Sequence, residues 1–195
     1  MIACGLHEKT LELRFITNGT VHDQTLLELI RQFPAIAMGI SIDAVGPLHI
    51  YTRGCNISWD ECRRHWQSLR NLPNIKELKI SNTLYIYNVF DLSNLREWVA
   101  ADFGADTHMA DAILHGPPYL RADILPSDLL SQAASMLPDD DRLVPFLRQC
   151  STESTWKHDE LVIARQRFAS FTSKLDAIRS EDCLSLVPQL SDMLS

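Results

Sequence analysis

Length, composition and charge describe a chain of ordinary globular type. It has 195 residues, of which 46% are hydrophobic and 22% are charged, and its formal net charge is -7. This composition excludes a disordered chain, and the negative charge argues against nucleic acid as a partner. No apolar run approaches the roughly 18 to 20 residues of a membrane span, and no signal peptide opens the sequence, so we expect a cytoplasmic protein with no membrane partner.

Strand-like and helix-like segments alternate through the first half of the chain. Apolar runs predict strands over residues 11–16, 36–42, 78–86 and 112–115. Apolar residues at helical spacing lie between them, over residues 26–33, 59–69 and 92–103. Strands that alternate with helices indicate βαβ units and therefore a parallel sheet.

The second half changes to helical patterns from Pro126 onward. Ser127 is a plausible N-cap for the helix that follows, and residues 157–179 carry the most regular helical pattern in the chain. We therefore predict two parts: an α/β part over residues 1–116 and a mostly helical C-terminal extension over residues 117–195.

Cysteine and histidine spacing predicts no metal site. The five cysteines are Cys4, Cys55, Cys62, Cys150 and Cys183. They form neither C-x-x-C nor C-x-x-x-C-x-x-C, and the histidines show no H-x-x-x-H spacing. Cys55 and Cys62 are the closest pair, and even they match no ligand pattern. We interpret the thiols as reduced and mostly structural.

Polar residues lie near or beyond the carboxyl end of each predicted strand. They are Thr17 and Asn18, Ser41 and Asp43, Asn82, Thr83 and Asn88, and finally His115. Ligands of parallel α/β proteins bind at the carboxyl ends of the strands, so these residues are candidates to contact a small molecule. Each also has a structural interpretation, as a turn residue, a cap or a buried hydroxyl.

Arg53 follows Asp43 by ten positions. It is either a surface arginine paired with a carboxylate or a guanidinium that binds a ligand carboxylate through two hydrogen bonds.

Four motifs in order resemble the radical S-adenosylmethionine (radical SAM) enzymes. They are "FITNGT", "ISIDAVG", "YTRG" followed by a tryptophan, and "ISNTLYIYN". The chain is similar to the branch with a C-terminal SPASM or twitch-type extension. The resemblance implies a partial (β/α) barrel of about four parallel strands with flanking helices, and then the helical extension.

The resemblance also implies roles for the strand-end residues. Thr17 and Asn18 would face the methionine and ribose of S-adenosylmethionine. Ser41, with Asp43 nearby, would hydrogen-bond this cofactor. Arg53 would engage the cofactor carboxylate or a neighbouring acid.

The residues at the later strand ends would lie nearer the substrate. Asn82, Thr83 and Asn88 would border the cofactor or the substrate. His115 is a candidate substrate contact, with a structural role as the alternative. The implied substrate is a peptide or a small metabolite.

Two family motifs are absent from the sequence. It contains neither the C-x-x-x-C-x-x-C loop that holds the 4Fe-4S cluster nor the Gly-Gly-Glu motif that binds the cofactor amino group. The resemblance is therefore to the C-terminal portion of such an enzyme. We expect no catalytic residue and no metal ligand in this chain, and no activity from it alone.

Three hypotheses about the partner and the function follow from that departure. The first hypothesis is that the missing N-terminal half is supplied by a separate chain, or that a second copy of this chain pairs with the exposed edge strand over residues 11–16. A second hypothesis is a non-catalytic accessory or binding subunit with a truncated barrel. The third is an unrelated α/β domain whose polar strand ends are coincidental.

Overall fold

A computed structural model describes residues 3, 5–21 and 23–194 of the chain. One parallel sheet has the strand order β1-β2-β3-β4, the same as the order along the chain. The strands are β1 (Leu13–Thr17), β2 (Ile36–Ser41), β3 (Ile75–Leu84) and β4 (His108–Ile113). This arrangement confirms the predicted α/β class and the parallel sheet.

Ten α-helices are described around this sheet. They are α1 (Leu6–Lys9), α2 (Gln24–Ile30), α3 (Gly46–Arg53), α4 (Trp59–Arg70), α5 (Leu92–Phe103), α6 (Ser127–Ser135), α7 (Val144–Thr152), α8 (His158–Arg179), α9 (Cys183–Leu186) and α10 (Ser191–Leu194). In the described part of the chain, none of them combines the length and the apolar character needed to cross a membrane.

The bounds of β1, β3, β4 and α6 differ from the predictions, and helix α3 was missed. The fourth strand begins at His108, four positions before the predicted start, because its polar Asp111 is buried by an ion pair with Arg96. Helix α3 was not predicted, since Ile50, Tyr51 and Thr52 have modest helix propensity and tertiary packing decides their state. Helix α6 starts at Ser127 itself, with Pro126 as its N-cap.

Helices α2, α4 and α5 pack on one face of the sheet. Every second residue of the central strands points to this side, and a buried cluster joins Met38, Ile40 and Ile80 to Trp66 of α4 and Leu95 of α5. The core of the α/β part therefore lies between the sheet and these three helices.

The opposite face, called here the open face, contacts solvent through residues such as Ile16, Glu77 and Ala112, whereas Ala37 and Gly39 of β2 are buried. The residues of this face are Arg14, Ile16, Ala37, Gly39, Ser41, Glu77, Lys79, Ser81, Thr83, His108, Ala110 and Ala112, which alternate with the core-facing residues. A Cβ built on Gly39 would meet the side chains of Ile16, Ser81 and Lys79, which places all three on this face. Ile16 is 62% exposed, so the open face has apolar and polar groups in solvent.

The C-terminal helices pack at the carboxyl edge of the sheet. A second buried cluster joins Leu84 and Tyr87, in and just after β3, to Leu130 of α6 and Phe168 of α8. The Tyr87 hydroxyl hydrogen-bonds Thr172 of α8 at 2.6 Å. The residues before and after position 116 therefore share one buried cluster. The division into an α/β part over residues 1–116 and a helical part over residues 117–195 stays a prediction.

Candidate functional site at the carboxyl edge of the sheet

The sheet register brings most of the predicted strand-end residues to one edge. Thr17 pairs with Ile40 and Ser41 pairs with Ser81. The next positions bring Asn82 of β3 beside Asp111 of β4. The carboxyl ends of all four strands therefore meet at one edge, as the parallel topology requires.

Asp43 and Arg53 form an ion pair at this edge. The guanidinium lies 2.6 Å from Asp43 Oδ2, and the backbone N–H of Thr83 donates to Oδ1 at 2.9 Å. The Asp43 side chain is 6% exposed and that of Arg53 is 29% exposed. Burial raises the pKa of Asp43, although Arg53 and the Thr83 N–H act in the opposite direction.

Asn88 ties the loop after β2 to the loop after β3. Its side-chain amide donates to the carbonyl oxygens of Asp43 and Thr83, both at 2.8 Å. Its Oδ1 accepts from the backbone N–H of Tyr85 at 2.9 Å. Asn88 is fully buried, and these backbone partners satisfy its side-chain amide, as buried polar groups require.

The same polar network continues across the sheet to β4 and α5. Asn82 donates to Asp111 Oδ1 at 3.0 Å. Arg96 of α5 donates to Asp111 at 3.0 Å and to Asp141, just before α7, at 2.9 Å. A connected set of hydrogen bonds therefore runs from the sheet edge into the C-terminal helices.

Thr17 and Asn18 bond within their own turn and to helix α4. Thr17 Oγ1 accepts from the N–H of Gly19 at 3.0 Å, and Asn18 Oδ1 accepts from the N–H of Thr20 at 3.2 Å. The Asn18 carbonyl accepts from the indole N–H of Trp66 at 2.9 Å. These contacts give the turn a structural role, and the exposed Asn18 side chain stays accessible at its outer side.

Ser41, Thr83 and His115 occupy different surroundings. The Ser41 and Thr83 side chains belong to the open face, beside Ser81. His115 is exposed, two positions after β4 ends. The structure thus joins Asp43, Arg53, Asn82, Thr83 and Asn88 in one network; Ser41 lies on the adjoining open face, whereas Thr17, Asn18 and His115 are not part of that network.

The open face also contains a cavity of about 250 Å³ toward the amino half of the strands. Its lining includes Arg14, Ile16, Gly39, Glu77 and Lys79. Arg14 and Glu77 lie 3.5 Å apart across β2. The open face therefore offers hydroxyls at its carboxyl end and paired charges at its amino end.

Sequence reasoning missed a group of residues that can hold a metal ion. His49 of α3, Cys55 of the following turn and Cys62 of α4 have donor atoms within 4.8 Å of one another. Burial lowers the pKa of His49 to about 3, with a further contribution from Arg53, and burial raises the pKa of Cys62 to about 12. Cys4 and His22 lie outside the described residues.

The spacing of these residues explains why no motif revealed them. They are six and seven positions apart along the chain, wider than the compact pairs typical of zinc and iron–sulfur sites. Contacts between α3 and α4 bring them together, and α3 was not predicted from the sequence.

Comparison with known proteins gives no relative: no family model and no curated protein matches the chain.

Proposed function

We propose that this chain supplies four strands of a radical SAM-type (β/α) barrel, with the open face as part of the inner wall. One observation carries the proposal: the parallel sheet has helices α2, α4 and α5 on one face, whereas the other face has exposed residues such as Ile16. All-parallel sheets occur almost exclusively with both faces covered, or closed into a barrel with the helices outside. An open inner face is what part of a barrel wall presents.

The carboxyl end of the open face is where S-adenosylmethionine is proposed to bind. Ser41, Ser81 and Thr83 offer three hydroxyls there, and the ion pair of Asp43 with Arg53 fixes the loop that follows Ser41. Arg53 engages a neighbouring acid, one of the two roles that the family resemblance implies. The substrate under this proposal is a peptide or a small metabolite.

The iron–sulfur chemistry must come from another polypeptide segment. The 195 residues contain no C-x-x-x-C-x-x-C motif, and reductive cleavage of S-adenosylmethionine requires an electron from a 4Fe-4S cluster. The chain is therefore proposed to bind cofactor and substrate, and to be inactive until that segment joins it.

The test combines this chain with a polypeptide encoded next to it that contains both missing motifs. After anaerobic reconstitution and reduction, we expect formation of 5′-deoxyadenosine from the mixture and none from either component. Ser41→Ala should weaken S-adenosylmethionine binding to the mixture about 2- to 10-fold, because one hydrogen bond contributes about 0.5–1.5 kcal/mol. Ser131→Ala, on the exposed surface of α6, is the matched control.

Two results would contradict the proposal. One is the absence of a neighbouring reading frame with these motifs, and the other is a complex that forms no 5′-deoxyadenosine. A complex whose activity does not respond to Ser41→Ala supports the second candidate, a non-catalytic accessory subunit. The buried polar network favours that candidate, since Asp43, Arg53 and Asn88 already satisfy one another.

A further inference from the structure

A histidine and two cysteines converge between helices α3 and α4, away from the open face. His49 and Cys62 are fully buried, and Cys55 is partly exposed. Their nitrogen and sulfur atoms all lie within 4.8 Å of one another. The three side chains therefore surround one point in the interior, which is nearest to solvent on the side of Cys55.

His49 has no hydrogen-bond partner for either ring nitrogen. Among the described residues it is the one side chain with two buried polar atoms left unpaired. A neutral imidazole has one N–H donor and one nitrogen lone pair, and buried polar atoms nearly always have partners. A metal ion bound to the lone pair would give one of these two nitrogens a partner.

Aromatic rings hold the imidazole in place. The ring of Trp66 lies edge-on to it with centroids 5.2 Å apart, and the ring of Trp59 lies at 5.5 Å. Both tryptophans come from α4, the helix that carries Cys62. The histidine is therefore fixed on the side of α3 that faces the cysteines.

We propose that His49, Cys55 and Cys62 bind a zinc ion, with water or an external donor as the fourth ligand. Imidazole and thiolate are the ligands that zinc prefers, in tetrahedral geometry, and three protein ligands leave one position open. Two thiolates balance the charge of Zn²⁺, and the nearby Arg53 is already paired with Asp43. The proposal is independent of S-adenosylmethionine chemistry.

The geometry needs only a small adjustment. Bonds of about 2.3 Å to sulfur and about 2.0 Å to nitrogen place tetrahedral ligand atoms roughly 3.5–3.8 Å apart. The upper limit of 4.8 Å in this cluster is about one ångström larger. Cys55 lies in the turn between the two helices, and rotation of its side chain can adjust its distances to His49 and Cys62.

Metal titration tests the proposal on the full chain. The reduced, metal-free protein is titrated anaerobically with Co²⁺ and then with Zn²⁺. We expect one Co²⁺ per chain, with the d–d bands of tetrahedral cobalt and sulfur-to-cobalt charge-transfer absorption. Zn²⁺ should displace the cobalt, whereas excess Mg²⁺ should not, because Mg²⁺ prefers oxygen ligands.

Substitutions locate the site. Cys55→Ser should weaken Zn²⁺ binding about 100-fold or more, since loss of even outer-shell partners costs about 10- to 100-fold. His49→Phe should do the same and keep an aromatic ring in the core. Cys150→Ser is the matched control, because Cys150 is also partly exposed and lies in α7, outside the cluster.

Three outcomes would overturn the proposal. They are Co²⁺ binding well below one per chain, a cobalt spectrum without sulfur charge transfer, and unchanged zinc affinity in Cys55→Ser. Mass spectrometry of the protein as isolated provides a further check: a disulfide between Cys55 and Cys62, with no Zn²⁺ binding after reduction, identifies a redox pair and rejects the metal site. Zn²⁺ should also raise the melting temperature of the wild type but not of Cys55→Ser.

Discussion

At the scale of single residues, Gly19 shows how the turn after β1 is fixed. Its φ is +63°, a conformation that L side chains adopt at a cost. A Cβ at this position would lie 2.4 Å from Cδ1 of Trp66. The glycine thus permits both the turn and the close approach of α4, which the hydrogen bond from Trp66 to the Asn18 carbonyl then stabilises.

Gly19→Ala should lower the free energy of unfolding by about 2–4 kcal/mol, as the sum of left-handed strain and overpacking against the indole. Gly46→Ala is the matched control: Gly46 has a φ of +62°, but a Cβ added there would have no neighbouring atom within 4 Å. That variant should lose about 1–2 kcal/mol from backbone strain alone. Urea unfolding at 25 °C measures both, and equal losses would show that Trp66 adds no constraint.

At the scale of secondary-structure elements, Asn88 connects two strand-end loops. Its buried side chain donates to the carbonyl oxygens of Asp43 and Thr83 and accepts from the N–H of Tyr85. The loop after β2 and the loop after β3 are therefore held together by one side chain. This contact fixes the position of Asp43, and through its ion pair that of Arg53 at the end of α3.

Asn88→Ala should lower the free energy of unfolding by about 2–4 kcal/mol, because each buried group left unpaired costs about 1–3 kcal/mol. Asn94→Ala serves as the control, since Asn94 is exposed and bonds a single side chain, that of Asp91. Its loss should stay under about 1 kcal/mol. Chemical denaturation measures the free energy of unfolding of both variants. Similar decreases in the two would mean that water replaces the Asn88 contacts.

At the scale of the whole molecule, the sheet has an exposed edge next to an open face. Strand β1 pairs on one side with β2, and its Ile16 is 62% exposed on the open face. Edge strands with exposed apolar side chains pair readily with other chains. The proposed barrel partner and a second copy of this chain would therefore compete for the same edge.

The isolated chain should self-associate as its concentration rises, and Ile16→Lys should reduce this association, since a charge on an edge strand opposes pairing. Ile178→Lys is the control, because Ile178 is 82% exposed on helix α8, away from the sheet. Sedimentation velocity over a concentration series measures the effect. A wild-type protein that stays monomeric throughout would count against pairing through this edge.

Much of the architecture was predictable from local patterns. Alternation of apolar runs with helical spacing predicted the parallel sheet, because strand and helix periodicities are properties of neighbouring residues. Helix α3 escaped prediction since its buried Leu48 and Tyr51 are stabilised by contacts with distant parts of the chain, such as the hydrogen bond from Tyr51 to Asp176. Strand β4 was displaced in the prediction for a similar reason, the burial of Asp111 by Arg96.

By itself, the sequence determined the α/β class, the parallel direction of the strands and the polar residues at the strand ends. Tertiary structure alone decided which of those polar groups pair with one another, which face of the sheet is open, and that His49, Cys55 and Cys62 meet. The physical reason is the separation along the chain of the residues that interact. Periodicity and turn chemistry act between residues a few positions apart, whereas burial and hydrogen-bond partners depend on how whole elements pack. Asp43 illustrates both, since its position after a strand is local, whereas its partners are Arg53 of α3 and, at the end of β3 and in the loop after it, Thr83 and Asn88.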